Sequence, residues 1–395
     1  MRRRTFLRIP SALPLTTTAI TAITVTAATT VTAATAATAA SLADAVAADV
    51  LPGRAAVLES VRRVNDHWIN AHTDPGDNLW ARATYFSGDL AAYRLTGERR
   101  YLAYAESWAE KHDYGLAGGV TTRHADHHNA GQVYLDLHEA LGGEERIAAI
   151  ESSLHRMVHT DRPEKTDDWW WADALYMAMP SMARLGALRG DTAYWAKMYA
   201  LYHHTKRVQG GGLYDYTHEL WYRDGTWSPG GSGRLSPDGR PVFWSRGNGW
   251  AYAAHAKVLS VLPSTDKRAP EYRWNMQGIS RALLASQRPD GFWNPSLGDP
   301  RHLPGKESSG TALFCYGLAY AIRTGLIDRS TYLPVLARGW NALVRDAVHP
   351  DGRLGWVQGI GDRPESSRPI TYETTADFAV GAFLMAGSQV ARLAP

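Results

Sequence analysis

Cysteine is almost missing from this chain: its 395 residues contain one, Cys315. An intramolecular disulfide and a cysteine zinc site are both excluded. Cys315 sits in the apolar run 311–322 and reads as a buried, inert thiol. Phenylalanine is scarce, with 7 residues against 15 Trp and 19 Tyr. Core packing alone does not demand that bias toward aromatics with a polar handle, whereas a surface that stacks on sugar rings or bases does. A surplus of charge is lacking too. The formal +3 comes from residues 1–47, which hold Arg2, Arg3, Arg4 and Arg8 against Asp44; the rest carries equal numbers of each sign. That balance argues against a nucleic-acid-binding or membrane-attracting surface. With 45% apolar and 21% charged residues, disorder and collagen-like structure are also out.

The first fifty residues read as an address. Arg3-Arg4-Thr5-Phe6-Leu7 resembles a twin-arginine export signal. The Ala/Thr-rich stretch that follows is too weakly apolar for a stable membrane helix, so no membrane insertion is expected. Ala45-Val46-Ala47 offers a small-residue cleavage site. The expected product is an exported chain, periplasmic or extracellular, with one catalytic domain over 48–395.

Beyond residue 50 the dominant pattern is amphipathic helix. Periodic stretches fall at 55–72, 81–95, 99–112, 129–141, 144–158, 172–188, 192–206, 248–262, 271–287, 311–324, 331–346 and 373–391. Gly97, Gly142-Gly143, Gly190 and Gly325 punctuate consecutive pairs, as helix C-caps do. The stretches beginning at 81, 129, 172, 248, 311 and 373 are apolar on all sides and should be buried. The others are charged on one face. Six buried helices alternating with six half-exposed ones predict an all-α (α/α)6 barrel, with loops and short hairpins at 207–246 on its rim.

Polar clusters precede the inner helices. They are His124-Ala125-Asp126-His127-His128, Trp169-Trp170-Trp171-Ala172-Asp173, Phe243-Trp244-Ser245-Arg246-Gly247-Asn248-Gly249-Trp250 and Glu307-Ser308-Ser309. Taken singly, Asp, Ser, Thr and Asn there are ordinary N-caps. Taken together on one rim they mix Trp, Arg and carboxylates beside helix N-termini, a composition for gripping a charged sugar. Asp173 stands out. It follows three Trp, and a carboxyl buried among aromatics raises its pKa, which is how a general acid is made at neutral pH. No H-E-x-x-H pattern, G-x-S-x-G elbow or phosphate-binding glycine loop is present, so neither a metal nor a cofactor is expected.

The segments WADALYMAMPSMARLG at 171–186 and FWSRGNGW at 243–250 resemble glycoside hydrolase family 105, the unsaturated rhamnogalacturonyl and glucuronyl hydrolases, related to family 88. That resemblance implies an (α/α)6 barrel. It also implies removal of a 4,5-unsaturated uronic acid from the non-reducing end of lyase-generated oligosaccharides, by hydration of the vinyl ether. Asp173 then matches the family acid/base and Asp126 a second functional Asp. Trp171, Trp244, Arg246 and Trp250 match pocket positions. A further substrate-binding position falls to His218, with Arg223 or Asp224 as alternatives. The loop 225–242 is expected to differ with the leaving sugar. The partner implied is an unsaturated uronyl oligosaccharide. An ordinary two-carboxylate glycosidase and a sugar-binding protein on the same scaffold remain open, as does the oligomeric state.

Overall fold

A computed structural model describes residues 49–395, so the expected export segment lies outside the described residues. Among the described residues, twelve helices carry the fold. They are α1 (Arg54–Ala71), α2 (Trp80–Thr96), α3 (Arg99–Lys111), α4 (Ala130–Leu141), α5 (Ala148–His155) and α6 (Ala174–Arg189). The second half comprises α7 (Thr192–Arg207), α8 (Ser245–Leu259), α9 (Ala269–Ser286), α10 (Ser308–Arg323), α11 (Arg329–Ala342) and α12 (Asp377–Val390). Each coincides with one of the twelve periodic stretches.

The even-numbered helices form a closed ring. In order, α2, α4, α6, α8, α10 and α12 each pack on the next, and α12 returns to α2. The odd-numbered helices lie outside, α1 on α2 and α12, α7 on α6, α9 on α8 and α11 on α10. This is the (α/α)6 barrel. The inner helices are buried all round because they face the ring axis on one side and the outer layer on the other. Glycine lets them close up. Gly88 of α2 and Gly381 of α12 meet backbone to backbone, and a Cβ on either would run into the opposite main chain.

Pro180 lies inside α6, where it removes the N–H that would bond the Tyr176 carbonyl. Gln132 of α4 replaces that donor, its Nε2 2.8 Å from Tyr176 O. A break in one inner helix thus becomes a bond between two.

The boundaries differ where local chemistry competes with periodicity. The 144–158 stretch splits into a short 3₁₀ turn at Glu144–Arg146, α5 and a wide turn at Arg156–Thr160. The last helix starts at Asp377 rather than 373, because Thr374 gives its carbonyl to Val357 N and its hydroxyl to the Thr371 carbonyl. The segment 207–246 contains the expected hairpin. Its strands, β1 (Tyr214–Asp215) and β2 (Leu220–Trp221), are antiparallel with Tyr214 opposite Trp221. No helix of the described residues is long and apolar enough to cross a membrane.

Candidate active site

A cleft of about 270 Å³ opens where the N-terminal ends of α2, α6 and α8 meet the loop before α12. It is lined by Asp126, Trp171, Asp173, Trp244, Arg246 and Trp250, together with Trp80, Met177, Arg223 and Ile360–Asp362. Six of the seven residues expected from the sequence therefore share one wall or another of a single cavity.

Two carboxyls set its chemistry. Asp173 is the N-terminal cap residue of α6, is 6% exposed and bonds no helix N–H through its side chain. Burial raises its pKa above the ordinary carboxylate range, and the Arg223 guanidinium, with Nε 3.2 Å from Oδ2, opposes that rise. Asp126 stands on the four-residue helical turn Ala125–His128. Its pKa is pushed up to about 7 by burial and then by the Asp173 charge, again against Arg223. Burial thus favours the protonated form at both carboxyls, and the Arg223 charge opposes it at both.

Arg223 reaches the cleft because the hairpin delivers it. Trp171 and Asp224 form an antiparallel bridge, and Ala172 N donates to the Arg223 carbonyl at 2.8 Å. Asn248, the middle residue of R-G-N-G-W, acts as a surrogate strand for β2: its Oδ1 accepts from Trp221 N at 2.8 Å and its Nδ2 donates to Trp221 O at 3.0 Å. The guanidinium of Arg223 then pairs with Asp224 at 2.8 Å and covers the Trp170 ring.

Arg246 does something else. It is fully buried, and burial lowers its pKa to about 10. Its terminal nitrogens donate to the carbonyls of Gln358 and Gly359 at 2.6 and 2.8 Å, between the rings of Trp244 and Phe378. Trp244 Nε1 bonds the Gln358 side chain at 2.9 Å. Arg246 and Trp244 thus hold in place the segment that carries Ile360–Asp362. The aromatic walls come from Trp171, Trp80 and Trp250, the last packed at a tilt against Tyr176 with centroids 4.7 Å apart.

His218 is not brought to the cleft. It sits in the hairpin turn, half-exposed, bonded to Asp215 through both its N–H and its ring and packed on Phe243. The alternative, Arg223, lines the cleft and His218 does not. Nor does the loop 225–242 contribute a lining residue. The histidines beside Asp126 have other work, His127 against Thr122 and His128 against Ser153. Sequence reading passed over Trp80, Met177 and Ile360–Asp362. Trp80 carries a usable signal, as a Trp at the first position of an apolar helix.

Comparison with known proteins settles the family. The profile described as Glycosyl Hydrolase Family 88 matches residues 56–394. This chain belongs to that family. It is a glycoside hydrolase, and the family-88 assignment agrees with the ring of twelve helices. Among family-88 relatives, the unsaturated 3S-rhamnoglycuronyl hydrolase of Formosa agariphila is 30% identical over 344 residues, covering 82% of this chain and 88% of that one. A solved family-88 structure from Bacteroides vulgatus is 31% identical, covers 86% of this chain and 99% of its own, and superposes with a TM-score of 0.79. A solved chain named as a polysaccharide lyase is 33% identical, with 86% and 98% covered and a TM-score of 0.80.

Proposed function

We propose that this family-88 enzyme removes a 4,5-unsaturated uronic acid from the non-reducing end of lyase-generated oligosaccharides by hydrating the C4=C5 vinyl ether, in the manner of the family 105 branch. The observation that carries the reading is that Asp173 and Asp126 share one aromatic cleft with the Arg223 guanidinium, which bonds Asp173. Protonated Asp173 gives its proton to C4. Positive charge develops at C5 and the ring oxygen. The Asp173 carboxylate then takes a proton from water as its oxygen adds to C5, so the acid is restored and one water is consumed. The hemiketal opens and releases the sugar it carried. Asp126 lies beside this proton transfer in the same cleft. Arg223 is placed to meet the uronate carboxylate, and the Trp rings to stack on the sugar face. Ordinary carboxylate-separation rules for glycosidases do not apply to such a reaction. Export through residues 1–47 belongs to the same reading, supported by Arg3-Arg4 and Ala45-Val46-Ala47, and the N-terminal sequence of the secreted protein tests it.

The test is optical. The conjugated C4=C5 bond absorbs in the near ultraviolet, and hydration bleaches it. A panel of unsaturated disaccharides should lose absorbance with the wild type and keep it with Asp173→Asn. Because one solved relative is named as a lyase, the sign matters. Rising absorbance on an intact uronate polysaccharide would indicate β-elimination and overturn the hydration reading.

A further inference from the structure

The ring has a second cavity, larger than the cleft. It encloses about 480 Å³ and is lined by residues from the C-terminal halves of the inner helices, such as Arg94 of α2, Arg184 of α6 and Lys257 of α8. The same helices line the cleft with their N-terminal residues, so the two cavities occupy opposite ends of the barrel. Tyr176 lies between them, its ring centroid 4.7 Å from that of Trp250 in the cleft and 5.0 Å from the Lys257 ammonium.

Its walls are strongly basic. Arg54, Arg94, Arg184, Lys257, Arg323 and Arg392 line it, against Asp136 and Glu139. Arg94 and Arg184 are spent on those two carboxylates, which they share. The remaining four have no carboxylate partner among the described residues. Lys257 Nζ rests on the amide oxygen of Gln132 at 2.7 Å, Arg323 on Gln389 at 3.4 Å and Arg54 on the Ala391 carbonyl at 2.9 Å. Lys257 and Arg323 stand in the last turns of α8 and α10, where the helix dipole favours a cation, but their side chains end on the Gln132 and Gln389 amides rather than on terminal carbonyls. Burial of Lys257 pushes its ammonium down to about 8, with the Asp136 charge only partly opposing that fall. Tyr316 and Tyr320 add ring faces and hydroxyls to the wall.

We propose that this cavity is a second binding site, for a small hydroxylated oxyanion such as a carboxylated or sulfated monosaccharide. Its volume lies in the range of small-molecule sites. Six cations face only two carboxylates there, and guanidinium geometry suits both carboxylate and sulfate. The inference stands apart from the reaction proposed above, since no cleft residue takes part in it.

The experiment is calorimetric titration of the full chain with sodium glucuronate, glucose 6-sulfate and, as neutral control, glucose. At least one charged probe should give saturable heat and glucose none, and the tighter charged probe identifies the headgroup. Lys257→Gln should weaken that binding about tenfold, and so should Arg392→Glu, an exposed side chain at the rim whose replacement spares the fold. Binding in the cleft is separated by Arg223→Gln, which should leave the heat lost in the other two variants intact. Absence of saturable heat from both charged probes, or an affinity unchanged in both Lys257→Gln and Arg392→Glu, overturns the proposal.

Discussion

Asp126→Asn should make this protein more stable at pH 8 while disabling it. The argument is one of linkage. An ordinary Asp loses its proton near 3.8, whereas Asp126 in the folded protein holds on until about 7, first because it is buried and then because Asp173 is charged nearby. Between those values the native state binds more protons than the unfolded chain, so stability falls as pH rises through the interval and levels off above it. A gap of about three pH units is worth roughly 4 kcal/mol. Because the Asp126 side chain is 27% exposed, solvent screening brings the expected effect to about 2–3 kcal/mol. Asparagine keeps the shape and does not titrate. Urea midpoints of the wild type and the variant should therefore nearly coincide at pH 4 and separate by pH 8, with the variant higher. If the two differ by the same amount at both pH values, or if the variant is the weaker at pH 8, the carboxyl is not strained and the account of the paired acids fails.

Other consequences are open to direct measurement. Arg223→Gln removes the cation that lowers both carboxyls, so the pH–rate profile should move upward by about one to three pH units, with kcat/KM falling at least tenfold. Asn248→Ala cuts both bonds to the Trp221 backbone and should cost about 1–3 kcal/mol in urea unfolding, with activity reduced because Arg223 is then no longer aimed. Gly381→Ala forces a methyl group against the Thr84 carbonyl, and thermal unfolding should show a loss of about 3 kcal/mol or more. His218→Ala, outside the cleft, should leave kcat/KM within about twofold; a large loss there would mean the hairpin turn moves onto the substrate.

Much of the architecture was legible in the pattern of side chains. Twelve periodic stretches gave twelve helices, and the apolar set proved to be the inner ring, because a helix with apolar residues on every side has nowhere else to be. The clusters before those helices gathered for the same reason, since helices running one way round a ring put their starts on one rim. What stayed hidden depended on partners far away in the chain. Nothing local in Arg246 announces that its guanidinium serves the carbonyls of residues 358 and 359, or that Ile360–Asp362 are thereby swung over the cleft. The choice between His218 and Arg223 turned on a bridge between Trp171 and Asp224, across 53 residues of sequence that no spacing rule connects. The basic cavity escaped because its cations are single charges scattered over five helices and the residues just past α12, each unremarkable where it stands.

The contact between the Tyr176 and Trp250 rings has a consequence for the order of events. Both rings are buried and lie between the cleft and the basic cavity, so a saccharide that enters at the mouth of the cleft should leave by the way it came. Whatever lies deepest is released last. For the proposed reaction the cleaved-off oligosaccharide, nearer the mouth, departs first, and the altered uronate behind it follows. Free uronate should accordingly compete with substrate, while the shortened oligosaccharide should inhibit without full competition, being able to join a site still occupied at its far end.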